Sequence, residues 1–506
     1  MTQAMLSFGV FIFLVFISLW VRFRALRINP GLGIDNWYWL LCIENVKTTH
    51  RIPPRLSYFM LEIEEQWYPP LYSFFMSVFS MDVLKKHGGK IAQLTDLLNG
   101  FLIFLSILWF SGNVAIAFLS CFSYIMAFFP LSYSHQLQPR GLANFFLTLI
   151  MITLWFYIAT PSFVTWLGIL IPSVLLLFLH KMTAQLWAVY LLGFGLWAKD
   201  WTLPTLIPTS MVVAMLLSKG FYLKVLKAHW DIITFWHENI NKLGSHQYYE
   251  SPLYGKKGFI STAVHQKGCR HQIRTLKSIF LNNIFIILLP VWIGFDLSRS
   301  RSDFESFLFG WLGLTYLWVF LTTFVPYFRA LGAGILYLYQ SFLPLFLLIA
   351  HMAEGLSVRL QWILYTLWAV GLILSTIQWE KYCRNRADQN RRVFQTGLGE
   401  VLDYLKLQPK EGVFCIPFTL PDRVAYWTRK KVFWGGHGFG FHAYLKPYFP
   451  VMRENVLQTL TTKPISYVLF WRRYLDSLED IGLKIGRDLR FLMGKGEYEL
   501  YEVVKR

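Results

Sequence analysis

Phe101–Arg140 reads FLIFLSILWFSGNVAIAFLSCFSYIMAFFPLSYSHQLQPR, and its first Asp, Glu, Lys or Arg is its last residue. About 20 apolar residues suffice to cross the hydrocarbon core of a bilayer as a helix. Only helices or closed barrels satisfy every backbone group there, and barrel strands alternate with period two instead of running apolar throughout. Met5–Val21 has the same charge-free character. The n-region ahead of it has no basic side chain and no small-residue cleavage site follows, so it reads as an uncleaved first span and not as a signal peptide.

Working outward, eleven stretches read as spans: 5–21, 91–110, 114–131, 142–159, 164–180, 183–198, 203–218, 278–295, 305–324, 330–350 and 360–378. The whole chain agrees, with 506 residues, 55% hydrophobic and only 15% charged, against about 25% charged in soluble proteins. The expected class is a polytopic α-helical membrane protein with about eleven transmembrane helices. A soluble or peripheral enzyme is excluded.

The net charge of +19 fits basic loops beside anionic headgroups or cations that hold an anionic substrate. No nucleic-acid motif accompanies it. Cys42, Cys121, Cys269, Cys383 and Cys415 are scattered, without a Cys-x-x-Cys pair, which points to neither a zinc site nor a disulfide framework.

Three polar regions interrupt the spans: a first loop at 22–90, a basic segment at 219–277, and everything after Trp379. The domains expected are a membrane portion, 1–379, and a soluble α/β domain, 380–506, whose short strands are EGVFCIPF, ISYVLF and YELYEVV. With an odd number of spans, the first loop and the terminal domain share a face. Arg22, Arg24 and Arg27 follow the first span, and the positive-inside rule taken alone would place that loop in the cytoplasm.

Asp35, in NPGLGIDNWYWLL, is the first candidate for chemistry. A carboxylate at a membrane face takes a proton from an acceptor hydroxyl or ligates a divalent metal. Asp ahead of a helix also serves as an N-cap, and the local sequence favours the cap. Glu62, Glu64 and Glu65 precede the run Trp67-Tyr68-Pro69-Pro70. Their mutual repulsion would be relieved by a cation or metal, while a solvated acidic turn is the simpler reading for at least two of them. His135 and Arg140, in SYSHQLQPRG, fall at the bilayer surface, where Arg140 suits phosphate or headgroup snorkelling equally. His180 and Lys181 end an apolar run, and Arg329 lies between two spans; ionisable residues at such depth are costly and point to function. The glycine-rich GGHGFG, 435–440, lacks the strand and helix context of a dinucleotide loop.

Together these segments resemble the polytopic glycosyltransferases of the GT-C superfamily. The elements are the Arg-containing end of the first span, Asp35 in the loop after it, YPPLYSFF, FFPLSYSHQLQPRG, Arg329 in RALGAGILYLYQSFLP, and a soluble C-terminal domain with RVAYWTRKKVFWGG. The resemblance implies an active site on the non-cytoplasmic face of a plasma or inner membrane. It implies a sugar donor carried on polyprenyl phosphate or diphosphate, and an acidic residue of the first loop as base or metal ligand, the place Asp35 occupies. Arg329, Lys181 and Arg140 are then the candidates for the donor phosphate, and Glu64, Glu65 and His135 for an acceptor or metal site. A divalent metal is permitted but not demanded, since Trp37 stands where an Asp-x-Asp pair would have its second acid, and His135-Gln136 stands in place of a second acidic motif. No WWDYG-like motif supports a peptide acceptor, so glycan, lipid and protein acceptors stay open.

Two other readings compete. A transporter or flippase of a lipid-linked substrate would show duplicated halves with broken helices, and no duplication is seen. An O-antigen ligase or polymerase would need paired Arg and His in a large loop, which His265, Arg270, His271 and Arg274 can supply.

Overall fold

The apolar stretches all become helix. The computed structural model describes residues 3–28, 33–60, 63–240, 269–296, 301–353, 355–395, 397–436, 439–448, 456–472, 474–475 and 477–504. Glu62, His265, the side chains of Arg270 and His271, and part of the 435–440 loop lie outside the described residues.

Among the described residues six helices are long and apolar enough to span a membrane: α1 (Gln3–Ile28), α4 (Met81–Ser111), α7 (Arg140–Ala159), α14 (Asp303–Phe324), the segment Gly334–Ala353 that ends in α16 (Phe342–Ala353), and α17 (Val358–Gln395). A seventh span is counted if Gln272–Asn282, in α12 (Cys269–Asn282), and Ile284–Gly294, which runs into α13 (Leu289–Asp296), form one crossing bent by 86°. Shorter apolar helices fill the remaining stretches: α5 (Val114–Met126) with α6 (Phe128–Tyr133), α8 (Phe163–Leu177), α9 (Lys181–Ala198) and α10 (Thr202–Leu217). Local chemistry sets several ends. The Asn113 side chain caps α5, and Ser162 with Thr165 and Ser302 with Glu305 form capping boxes on α8 and α14.

Contacts between helix ends fix the two faces of the bundle. At one end Phe110 stacks on Phe304 at 4.6 Å, Trp155 meets Phe304 at 4.9 Å, and the Tyr157 hydroxyl bonds Thr202 Oγ1 at 2.7 Å. At the other end Arg24 pairs with Glu380, the Phe178 carbonyl accepts from Leu71 N at 3.0 Å, and His237 lies 5.9 Å from Tyr327. The first loop sits at this second end, where it forms α2 (Ile34–Thr49) and α3 (Leu71–Met76), with the amphipathic α11 (Phe221–Glu238) beside it.

The first loop and the terminal domain are in direct contact. Val432 N donates to Tyr58 O at 2.8 Å, Met60 N to Val432 O at 2.9 Å, and Arg429 pairs with Glu44 at 2.7 Å. The domain holds β1 (Val413–Ile416), β2 (Tyr467–Trp471), β3 (Leu489–Lys495) and β4 (Tyr498–Val503) in the order β1-β2-β4-β3, with β1 and β2 parallel and the other pairs antiparallel. It also contains α18 (Leu398–Leu407), α19 (Pro421–Thr428) and α20 (Val456–Thr462). Helix α17 continues past Trp379 to Gln395, so the membrane portion hands over to the domain through continuous helix.

Two of the three arginines after the first span, Arg22 and Arg24, are engaged within the protein, while Arg27 is exposed. Arg22 is fully buried, donating to Asp96 at 2.5 Å and Gln93 at 2.9 Å, and Arg24 is taken by Glu380. Positive charge that is already paired within the bundle carries little weight in the positive-inside rule, which counts basic loop residues.

The two faces make a labelling prediction. With exposed Cys269 replaced by Ser, a membrane-impermeant maleimide on sealed cells should treat Thr49→Cys and Lys484→Cys alike and Thr160→Cys oppositely. Opposite outcomes at 49 and 484 would contradict the shared face.

Candidate active site

The buried pair of Arg22 and Asp96 holds up one wall of a polar cluster at the loop end of the bundle. The Tyr124 hydroxyl donates to Asp96 at 3.0 Å, Gln93 donates to Leu131 O at 2.9 Å, and Asn99 to Gly141 O at 2.9 Å. These bonds tether both ends of the 131–141 segment to α4. Gly89 lets that segment approach, because a Cβ there would stand 2.7 Å from the His135 carbonyl. From the other side, Ser134 bonds the Tyr339 hydroxyl at 3.1 Å and Gln138 N donates to the Tyr72 hydroxyl at 3.1 Å.

Asp35 meets this segment. It lies in the first turn of α2, whose N-cap is Gly33 with no side-chain cap bond. The capping role favoured by the local sequence is therefore not the one Asp35 fills. Its Oδ2 accepts from Gln136 Nε2 at 3.2 Å, and the neighbouring Asn36 Oδ1 accepts from Leu137 N at 3.2 Å. Asp35, Arg140 and Arg386 all lie within electrostatic reach of His135.

His135 contacts the Ser132 carbonyl through Nδ1 and the Tyr382 hydroxyl at 3.3 Å, and Tyr382 accepts from Arg386 Nη1 at 3.2 Å. Burial, then the nearby Arg386 charge, lowers its pKa from 6.5 to about 4. Burial likewise holds His229, on α11, at about 3, helped by Lys181. Both imidazoles are therefore neutral at ordinary pH. Each folded pKa lies below the unfolded value, so their stabilisation is present above about pH 6.5 and is lost as the pH falls toward 4. The melting temperature should thus drop between pH 7 and pH 5, and His135→Gln should flatten that slope. An unchanged slope would remove His135 from the acid-sensitive set.

The cationic side of the cluster comes from α7 and α9. Lys181 is only 8% exposed, and its Nζ has no hydrogen-bond partner. Among the described residues no carboxylate acts on it. A buried ammonium without a counter-charge is costly. Arg140, Lys181 and His229 all lie within electrostatic reach of His180. Thr183 N donates to His180 Nδ1 at 3.4 Å, which leaves Nε2 as the protonated nitrogen of a neutral ring. The Nε2 of His229 is also buried and without a partner. The result is two cations, Arg140 and Lys181, flanked by two neutral imidazoles, a charge pattern suited to an anion.

The other sequence candidates separate. Glu65 is engaged by Lys224 at 2.7 Å and Trp67 Nε1 at 3.2 Å, with Arg55 at 3.9 Å, so it ties the first loop to α11. Glu64 is exposed beside it. Among the described residues no group of three or more His, Cys, Asp or Glu is placed to hold a metal; Glu64, Glu65, His135 and Asp35 do not assemble into one. Arg329 closes α15 (Pro326–Arg329) and donates to the carbonyls of Thr323 at 3.1 Å and Phe324 at 3.4 Å, at the end of α14. It shares the loop end with the cluster, where Gly332 packs on Met182. His229, Tyr339, Tyr382 and Arg386 were not singled out in the sequence. Each sits in an otherwise ordinary helix or loop, and only a neighbour far along the chain gives it significance.

No protein-family model matches the sequence, and no curated protein matches it. Solved structures do resemble the fold. ArnT from Cupriavidus metallidurans in the apo state superposes with a TM-score of 0.60 at 10% identity, over 98% of both chains. The same protein bound to undecaprenyl phosphate gives 0.58 at 10% identity, again over 98% of each. An oligosaccharyltransferase from Archaeoglobus fulgidus in the apo form gives 0.47 at 12% identity, over 92% of this chain and 69% of that one. At 10% identity what is shared with ArnT is the fold.

Proposed function

We propose that this membrane protein of the GT-C fold transfers a sugar from a polyprenyl-phosphate donor to an acceptor hydroxyl at the external face of a plasma or inner membrane. The observation that carries the proposal is the buried ammonium of Lys181, without a carboxylate or a hydrogen-bond partner, beside Arg140 and His180. The ArnT structure of the same fold that contains undecaprenyl phosphate supports this class of ligand.

The chemistry follows from the charges. The Asp35 carboxylate takes the proton of the acceptor hydroxyl. The oxygen attacks the anomeric carbon, the bond from that carbon to phosphate oxygen breaks, and its electron pair stays on the departing phosphate. Lys181 and Arg140 stabilise the charge that grows there, in a site with few waters to compete. His180 offers an N–H donor to the same oxygens. Gln136 holds the Asp35 carboxylate toward the 131–141 segment. A divalent metal at Asp35 would assist by polarising the acceptor, though among the described residues no group of three or more His, Cys, Asp or Glu is placed to hold one. The packed aromatic end, with Phe110, Phe156 and Phe304 in contact, weighs against a transporter, because the polar cluster is gathered at one end of the bundle.

The direct test uses purified full-length protein with a polyprenyl-phosphate-linked sugar and cell-envelope extract as the acceptor source. Protein-dependent release of polyprenyl phosphate, with the sugar recovered on an acceptor, is expected. No release under any of several sugar donors would overturn the proposal. Arg329, whose guanidinium already binds the end of α14, is expected to matter less than Lys181. Arg329→Ala should slow transfer by less than about tenfold, the scale of one charge-assisted contact of about 1.4 kcal/mol. A loss as large as that of Lys181→Met would place Arg329 on the phosphate.

A further inference from the structure

Three arginines that tie this protein together have carboxylates: Arg22 has Asp96, Arg24 has Glu380, and Arg429 has Glu44. Arg423, on α19, differs from these three. Its guanidinium is half-buried, its Nε is buried without a hydrogen-bond partner, and the one titratable group acting on it is the Tyr498 phenol. Among the described residues no carboxylate pairs with it. What lies beneath it is the ring of Trp37, 5.3 Å from the guanidinium carbon. Trp37 in turn meets Tyr426 at 5.3 Å and Trp427 at 6.3 Å. Trp427 is 37% exposed, and its indole N–H is held by Asp403 at 2.7 Å. A second cation, exposed Lys85 of α4, stands 5.9 Å over Tyr426, also without a carboxylate among the described residues. The seam between α2, α4 and α19 is thus an aromatic shelf carrying two unpaired cations.

We propose that this seam is a subsite for an anionic saccharide, the part of the acceptor that lies beyond the hydroxyl being glycosylated, with Arg423 binding its phosphate or carboxylate. This rests on the glycosyltransferase reading above and adds the chemical class of the acceptor. Aromatic faces take sugar rings, and the guanidinium fork matches two oxygens of an anion. The position suits the role. Trp37 follows Asp35 by two residues, so its side chain leaves α2 on nearly the opposite side of a helix about 10 Å across. A saccharide of at least two units would cross the start of α2, placing one hydroxyl at Asp35 and its anionic group at Arg423. An arginine that merely clipped the domain to Trp37 would need no more than a positive charge over the ring. An anion-binding arginine needs the fork.

The probe is glucose 1-phosphate, with glucose and inorganic phosphate as comparisons, followed by saturation-transfer NMR on the detergent-purified full chain. Wild type is expected to bind glucose 1-phosphate more tightly than either comparison. Arg423→Gln is expected to weaken it at least tenfold. Arg423→Lys, which keeps the charge over Trp37 and hence the clip, should restore the melting temperature but little of the binding. Polyprenyl-phosphate binding should be unchanged in both. Lys181→Met should retain glucose 1-phosphate while losing polyprenyl phosphate, so the two readings fail separately. The subsite is overturned by no signal from glucose 1-phosphate in wild type, or by equal signal in Arg423→Gln. It is equally overturned by inorganic phosphate binding as tightly as the sugar phosphate, or by full rescue of binding in Arg423→Lys.

Discussion

Lys181→Met is expected to cut sugar transfer by at least about 100-fold and to weaken polyprenyl-phosphate binding, while the protein melts no lower than wild type. The magnitude is that of a lost charge on a developing oxyanion, about 2.7 kcal/mol or more. The direction of the stability effect follows from burial. Lys181 is 8% exposed and unpartnered, so an apolar side chain of similar length removes a desolvation cost instead of breaking a bond. Lys181→Arg should recover only part of the activity, because the larger planar guanidinium must be placed where an ammonium is buried at 8% exposure. The measurements are donor binding to purified variants, turnover, and melting with and without polyprenyl phosphate. Wild type should be stabilised by the lipid phosphate and Lys181→Met should not. Normal turnover in Lys181→Met would take the ammonium off the phosphate.

Asp35→Asn carries the second large effect. Asn preserves size and still accepts from Gln136, which now donates to Asp35 at 3.2 Å. The N-cap itself is untouched, because Gly33 and not Asp35 stands there. Melting should therefore stay within the scatter of wild type. The amide has no useful basicity, so turnover should fall by roughly 100-fold or more, the range of lost general-base catalysis. Donor binding, read separately, should persist, which distinguishes a base from a donor contact. If transfer proceeds at the wild-type rate, Asp35 is not the base, and His135, whose lowered pKa leaves it neutral and able to accept a proton, is the next residue to replace. Dependence of the wild-type rate on added divalent cation, lost in Asp35→Asn, would instead assign Asp35 to a metal.

Much of the architecture was legible residue by residue. Charge-free stretches such as Met5–Val21 and Phe101–Met126 had to become mostly helix, since a bilayer leaves the backbone no other local way to bond itself. The soluble end was legible too, because strand-like runs separated by Pro and Gly break the apolar pattern, and VFCI and YVLF pair as parallel neighbours. Helix ends were less so. Helix α17 runs on through a charged segment to Gln395, since Glu, Lys, Arg and Gln favour helix in water as well as Leu does in lipid. The bend at the end of α12 was likewise invisible, because apolar content does not distinguish a straight crossing from one broken by 86°.

For the site, the sequence by itself determined the supply of parts: an acid after the first span, and cations at the ends of apolar runs, where ionisable side chains are too costly to be accidental. It named Asp35, His135, Arg140 and Lys181 on that ground. Which of them work together was decided only by the tertiary structure. Glu65 and Lys181 look equally available in one dimension. Folding gives Glu65 the ammonium of Lys224, 159 residues along the chain, and leaves Lys181 with none. A charge is defined chemically by what stands within a few ångströms of it. In a helical bundle those neighbours come from other helices, so a local reading can count the charges but cannot tell which ones folding leaves unpaired.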